Sequence, residues 1–110
     1  EKLLKAYVQS SYRKTNAQAI VKVVCDFYGL TLNELLKKSR KTFLVKPRQI
    51  AMYLLREDTK ASFPDIGSRL GGKDHSTVIH AYRKIVEEVE NNENLKQEIN
   101  LIRERIYNKA

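Results

Sequence analysis

Residues 71 to 84 run Gly71-Gly72-Lys73-Asp74-His75-Ser76-Thr77-Val78-Ile79-His80-Ala81-Tyr82-Arg83-Lys84. An acid, a His and two hydroxyls stand together behind a double glycine. Short polar groups of this kind reach base edges, while Lys and Arg beside them take phosphates. Catalysis fits less well. Asp74 and His75 are neighbours, but no nucleophile with a supporting group accompanies them. His75 and His80 lie five apart with no Cys pair, so a structural zinc is not expected and no metal ligand is assigned. The chain has no GxxxxGK[ST] phosphate loop, so no ATP chemistry through such a motif is expected of it.

These groups need a helix to present them. At about 100° per residue, Val78, Ile79, Tyr82, Ile85, Val86 and Val89 share one side. Lys73, Thr77, His80, Ala81 and Lys84 share the other. An ordinary amphipathic surface helix shows the same division, and the segment before it is what distinguishes the two. Ser62-Phe63-Pro64-Asp65 carries an N-cap, a Pro in the first turn and an acid at the capping-box position. Phe63, Ile66 and Leu70 then line one face, with Gly67 permitting close approach. A short helix, a Gly-Gly turn and a longer helix make a helix-turn-helix with a turn of unusual length.

The run GGKDHSTVIHA resembles the signature of the bacterial replication initiators of the DnaA family, in their C-terminal DNA-binding domain. Lys46-Pro47-Arg48-Gln49-Ile50-Ala51-Met52 and the basic run before it extend the resemblance over about residues 16 to 107. Ser76 stands where the family usually has Thr, keeping the hydroxyl and losing the methyl. The resemblance implies binding of double-stranded DNA at replication-origin DnaA boxes, as the origin-recognition domain of an initiator. It implies base contacts from Asp74, His75, Ser76 and Thr77 in the major groove, with Gln49 also reaching a base. By register from Pro47, Arg40 is the matching position for an Arg that enters the minor groove. The Phe63-Pro64 corner would touch a thymine methyl. Regulatory proteins and other initiator molecules are the protein partners implied. ATP is expected only in an ATPase domain outside this chain. A related helix-turn-helix module of a transposase-associated protein or a transcriptional repressor is the alternative. For two residues the chemistry stays open: Asp74 can cap the helix, contact DNA or do both, and His75 can read a base or pack inward.

The charge is placed to match. Net charge is +8, a balance that suits polyanions such as nucleic acid or an anionic membrane surface. Residues 1–36 are net +2, residues 37–84 net +8 and residues 85–110 net −2, so the middle segment accounts for the whole excess. Residues 37–46 hold five basic groups and no acid. They lead into a helix expected to begin at Pro47, with Ile50, Ala51, Leu54 and Leu55 inward and Arg48, Gln49, Met52 and Arg56 on the opposite arc. That arc reads as a phosphate-binding ridge. Lys41, Lys46, Arg48, Arg56, Lys73 and Lys84 are the expected phosphate ligands.

The rest is scaffold. One hundred and ten residues suit one domain: an all-α bundle of about six helices, with residues 1–15 as a linker helix or the end of a preceding domain and 16–110 as the DNA-binding unit. Leu3, Leu4, Tyr7 and Val8 give the first segment an apolar face. A helix is expected over 17–28, capped by Thr15 or Asn16 and closed by Gly29, with Ile20, Val23, Val24, Phe27 and Tyr28 buried. Thr31-Leu32-Asn33-Glu34 is a capping box opening a short helix with Leu32, Leu35 and Leu36 inward. Leu95, Ile99, Ile102 and Ile106 mark a closing helix. No apolar run approaches the roughly 18 residues of a membrane span. A lone Cys25, read as a packed thiol, fits a reducing cytoplasm; the family resemblance adds association with the nucleoid.

Overall fold

Six helices are seen in a computed structural model that describes residues 15–38 and 41–108. They are α1 (Ala17–Tyr28), α2 (Leu32–Leu36), α3 (Thr42–Thr59), α4 (Phe63–Arg69), α5 (His75–Asn91) and α6 (Glu93–Tyr107). The amphipathic segment 1–14 and Arg40 lie outside the described residues.

Local chemistry sets most of the boundaries. Asn16 accepts a hydrogen bond from the Ala19 N–H at 2.8 Å and starts α1. Gly29, at φ 67°, ends it in the left-handed conformation, and the Leu30 N–H returns to the Cys25 carbonyl at 2.8 Å. Thr31 and Glu34 close a reciprocal capping box, with bonds of 3.1 and 2.9 Å. The backbone N–H of Thr31 is the main reason the Glu34 carboxyl is held below its usual pKa. Of the three leucines expected inward in α2, Leu35 is fully buried, Leu36 is half-buried and Leu32 is 55% exposed. A helix of five residues covers too narrow an arc to bury all three.

The third helix departs most from expectation. It begins at Thr42, five residues before Pro47, so Pro47 lies inside it. The ring nitrogen of Pro47 has no hydrogen to give the carbonyl one turn back, and one rung of the first turns is missing. The helix is also buried on nearly every side: Leu44, Pro47, Arg48, Ile50, Ala51, Met52, Tyr53, Leu54 and Leu55 are all inaccessible. Packing explains this, because α1, α2, α4 and α5 all contact α3. Between its ends, a helix so surrounded keeps only a narrow accessible strip, which includes Val45 and Gln49, and no ridge of cations.

The remaining helices close around it. Ile20 and Val24 of α1, Ile66 of α4, and Val78 and Ile85 of α5 join the core. Cys25 is buried there, and burial raises its thiol pKa. Leu95, Ile99, Ile102 and Ile106 are buried as expected, seating α6 against α1 and α5. Asn92 separates α5 from α6 and caps α6 by accepting the Leu95 N–H at 3.1 Å. Arg103 of α6 donates to both carboxylate oxygens of Asp58 in α3, at 3.2 and 2.8 Å, and the Tyr107 hydroxyl reaches the same carboxylate at 2.5 Å.

Candidate nucleic-acid interface

The paired helices α4 and α5 form the helix-turn-helix. Ser62 caps α4 by accepting the Asp65 N–H at 3.2 Å. Asp65 itself turns to Arg69, at 3.0 Å, rather than completing a capping box. Gly67 has a packing reason. A Cβ there would lie 2.1 Å from the Lys73 carbonyl oxygen, so only glycine lets the turn fold back on α4. The Lys73 N–H donates to the Gly67 carbonyl at 2.8 Å across this contact. Gly71 and Gly72 both have positive φ and make the turn itself.

Asp74 caps α5, accepting the Ser76 N–H at 3.1 Å. Val78, Ala81 and Ile85 are buried on the inner side of α5. Asp74, His75, Ser76, Thr77, His80, Arg83 and Lys84 are exposed. His75 does not pack inward: its side chain is 58% exposed, with Nδ1 3.9 Å from Asp74 Oδ1. Ala81, expected on the polar side, is instead core.

The outer face of α5 borders a groove of about 850 Å³ against α3. Gln49, Thr77, His80, Lys84, Lys38 and Val45 are among its walls, with buried Met52 and Ala81 also facing it. Arg48, Gln49, Lys73, Asp74, Thr77 and Lys84 therefore come together from sequence positions 36 apart at the extremes. Phe63 and Arg56 lie elsewhere. Arg56 sits 4.3 Å from the Phe63 ring centre and donates to the Ala61 carbonyl at 3.0 Å. Phe63 also packs on Tyr82, ring centres 5.6 Å apart, while Pro64 is exposed.

The expected phosphate ridge on α3 is corrected by these positions. Arg48 is only 7% exposed. Its guanidinium donates to the Leu35 carbonyl at 2.7 Å, the Glu34 carbonyl at 3.1 Å and the Lys37 carbonyl. The end of α2 leaves these acceptors in need of donors, and a fork of N–H groups meets that need. Lys46 pairs with Glu88 at 2.6 Å. Lys73 donates to the Leu36 and Leu70 carbonyls at 3.3 and 3.1 Å. Lys41 is exposed at the start of α3.

The sequence reading put His80 on the polar side of its helix and Lys38 in the basic run without naming either as a contact, and gave Val45 no role. Val45, 38% exposed, lies one turn before Gln49 on the same face of α3. That relation is visible only once α3 is known to begin before Pro47. Among the described residues, no group of three or more His, Cys, Asp or Glu could hold a metal ion. None of the described helices is long and apolar enough to cross a membrane.

A basic groove beside an exposed polar helix start can hold phosphates and present donors and acceptors to bases. Known proteins agree in kind. Residues 17–85 match the family described as the bacterial dnaA protein helix-turn-helix. The chromosomal replication initiator protein DnaA of Chloroflexus aggregans is 46% identical over 94 residues, covering 86% of this chain. That of Geobacter metallireducens is 40% identical over 106 residues, covering 96% of it. This chain spans only 20% and 24% of those two relatives. The crystal structure of a DNA replication initiation factor superposes with a TM-score of 0.74 at 31% identity, over 92% of this chain and 30% of that one. With its helix-turn-helix, its basic groove and these matches together, the chain belongs to the bacterial DnaA helix-turn-helix family.

Proposed function

We propose that this chain binds double-stranded DNA sequence-specifically at replication-origin DnaA boxes, as the origin-recognition part of an initiator. One observation carries the proposal. The inner face of α5 is closed in the core, while its first turn presents His75, Ser76 and Thr77 to solvent beside a basic groove. A recognition helix enters the major groove with its N-terminal residues at the base edges. Thr77 and Gln49 line one groove from two helices, which supports base contacts from both. Lys38, Lys41 and Lys84 are among the exposed cations available for phosphates on either side. Arg40, just before α3 in the sequence, is the proposed minor-groove contact. Pro64 is the accessible part of the corner proposed to meet a thymine methyl.

The role is binding, not turnover. ATP chemistry would belong to a part of the initiator outside these residues, and regulatory proteins and further initiator molecules are its proposed protein partners. The proposed setting is the cytoplasm, at the nucleoid. Selection of bound duplexes from random sequence tests the proposal directly. Enrichment of one short box supports it. Enrichment of nothing, or ATP hydrolysis or DNA cleavage by the purified chain, overturns it.

A further inference from the structure

We infer that Arg48 and Lys73 are positioning residues, which dock the helix-turn-helix turn on the carbonyl end of α2 and so set where α5 begins. Four consecutive carbonyls, of residues 34 to 37, each receive a cationic donor. Arg48 takes three of them from α3, and Lys73 takes that of Leu36 from the turn. A helix end leaves its last carbonyls unpaired and partly negative, so two cations there answer both needs. The backbone of the turn rests on the same spot. A Cβ on Gly71 would lie 2.3 Å from the Leu36 carbonyl oxygen. Lys73 also ties the turn to itself through the Leu70 carbonyl, and to α4 through its own N–H and the Gly67 carbonyl. The next residue, Asp74, caps α5.

The path from α2 to the first turn of the recognition helix is therefore two residues long, with a hydrogen bond or backbone contact at each step. Burial lowers the pKa of both cations, and for Lys73 the charges of Arg48 and Lys38 add to it. Groups waiting for phosphate would sit in water instead. The short helix α2, five residues with Leu32 exposed, contributes little core. On this account it is a pedestal for the turn.

The DNA readout of the test rests on the proposed function, and a second readout does not. The full chain is compared with Arg48→Lys, Lys73→Met, Lys73→Arg and, as a phosphate control, Lys84→Ala. Each is titrated with the selected duplex and a scrambled duplex over a range of NaCl, and amide hydrogen exchange is followed without DNA. Lys84→Ala should weaken both duplexes alike and make the salt slope shallower by about one. Arg48→Lys and Lys73→Met should weaken the selected duplex by about tenfold, weaken the scrambled one far less, and leave the salt slope unchanged. Exchange at residues 71–76 should accelerate in both, with α6 unchanged. Lys73→Arg should recover part of the loss. The inference is overturned if either variant instead copies Lys84→Ala with exchange as in the parent chain. If the parent chain prefers no duplex, the function proposed above fails, and exchange alone still decides the positioning role. Should Lys73→Met unfold, Arg48→Lys and Lys73→Arg decide by the same two readouts.

Discussion

Thr77 stands in the first turn of α5 with its side chain exposed at the groove wall. Its substitution by Ala removes the hydroxyl and the γ-methyl from an exposed position and disturbs no core packing. Affinity for the preferred duplex should fall by about 1–3 kcal/mol while binding to random sequence stays nearly intact. Isotherms on the two duplexes measure this, and full discrimination by Thr77→Ala would move sequence reading to the basic loop or to DNA shape. His75 gives a second, sharper case. A packed His would lower the melting temperature when truncated, but this one is exposed. His75→Ala should therefore change stability by no more than about 0.5 kcal/mol, and lose specific binding only. A thermal melt beside the isotherms separates the two effects.

The element scale is governed by backbone contacts, and two substitutions probe them. Gly67→Ala puts a methyl where the Lys73 carbonyl oxygen already is, and that oxygen belongs to backbone, which yields little. Overpacking of this kind costs about 1–3 kcal/mol, seen as a lower denaturant midpoint. At the other extreme, Lys60 ends α3 with φ 61°, a left-handed conformation unfavourable to a side chain. Lys60→Gly should raise stability by about 0.5–1 kcal/mol, the strain relieved less the added freedom of the unfolded chain. Such elements were legible to different degrees. The caps at Asn16, Thr31, Ser62 and Asp74 and the heptad-like isoleucines of α6 are local or periodic signals, and each is found in the structure. The start of α3 was hidden because Pro47 imitates a first turn. Arg48 was misplaced because its partners, the carbonyls of residues 34, 35 and 37, become neighbours only when α2 and α3 pack. The groove itself needs α3 and α5 side by side, which no periodicity within either helix reveals.

For the whole molecule, salt dependence counts the cations that reach DNA. Most of the seven cations Arg40, Lys41, Lys46, Arg48, Arg56, Lys73 and Lys84 engaging together would give a log–log slope of roughly −5 to −6 at about −0.9 per phosphate. With Arg48, Lys73 and Arg56 bonded to carbonyls, and Lys46 paired to Glu88, fewer remain. Lys38, Lys41 and Lys84, with Arg40, give a slope of roughly −3.6. Titrations across NaCl distinguish the two values. Alkaline stability reports the fold as a unit. The hydrogen bond from Tyr82 to Glu57, with burial, pushes that phenol up to about 12 from an ordinary 10.0. Burial, then Glu98, raises Tyr28 as well. The folded chain thus holds these protons more tightly than the unfolded one. The stability that these phenols contribute should be full below about pH 10 and fall as the pH rises through 12. Tyr82→Phe should flatten that fall in melts taken at increasing pH.

The caps and charges of α5 have one more consequence. Its first turn contains no acid, and its last turn no base. Glu87 and Glu90 stand instead near its C-terminal end, and His75 to Lys84 hold the polar and basic groups. Glu90, in the last turn, opposes the helix dipole at about 0.3–1 kcal/mol. The Asp74 cap suits the start of the helix, but its acidic C-terminal end runs against the dipole, a poor arrangement for stability alone. Laid in a groove lined by phosphates, the same polarity acts as a brake. At about 1.5 Å per residue, Glu87 follows Thr77 by roughly 15 Å, and a rod with this charge pattern is drawn in by its leading end and refused by its trailing one. Penetration is thereby limited, and a slide along the groove by the acidic half is opposed. Glu87→Lys with Glu90→Lys should make the protein more heat-stable and, at the same time, a less discriminating DNA binder.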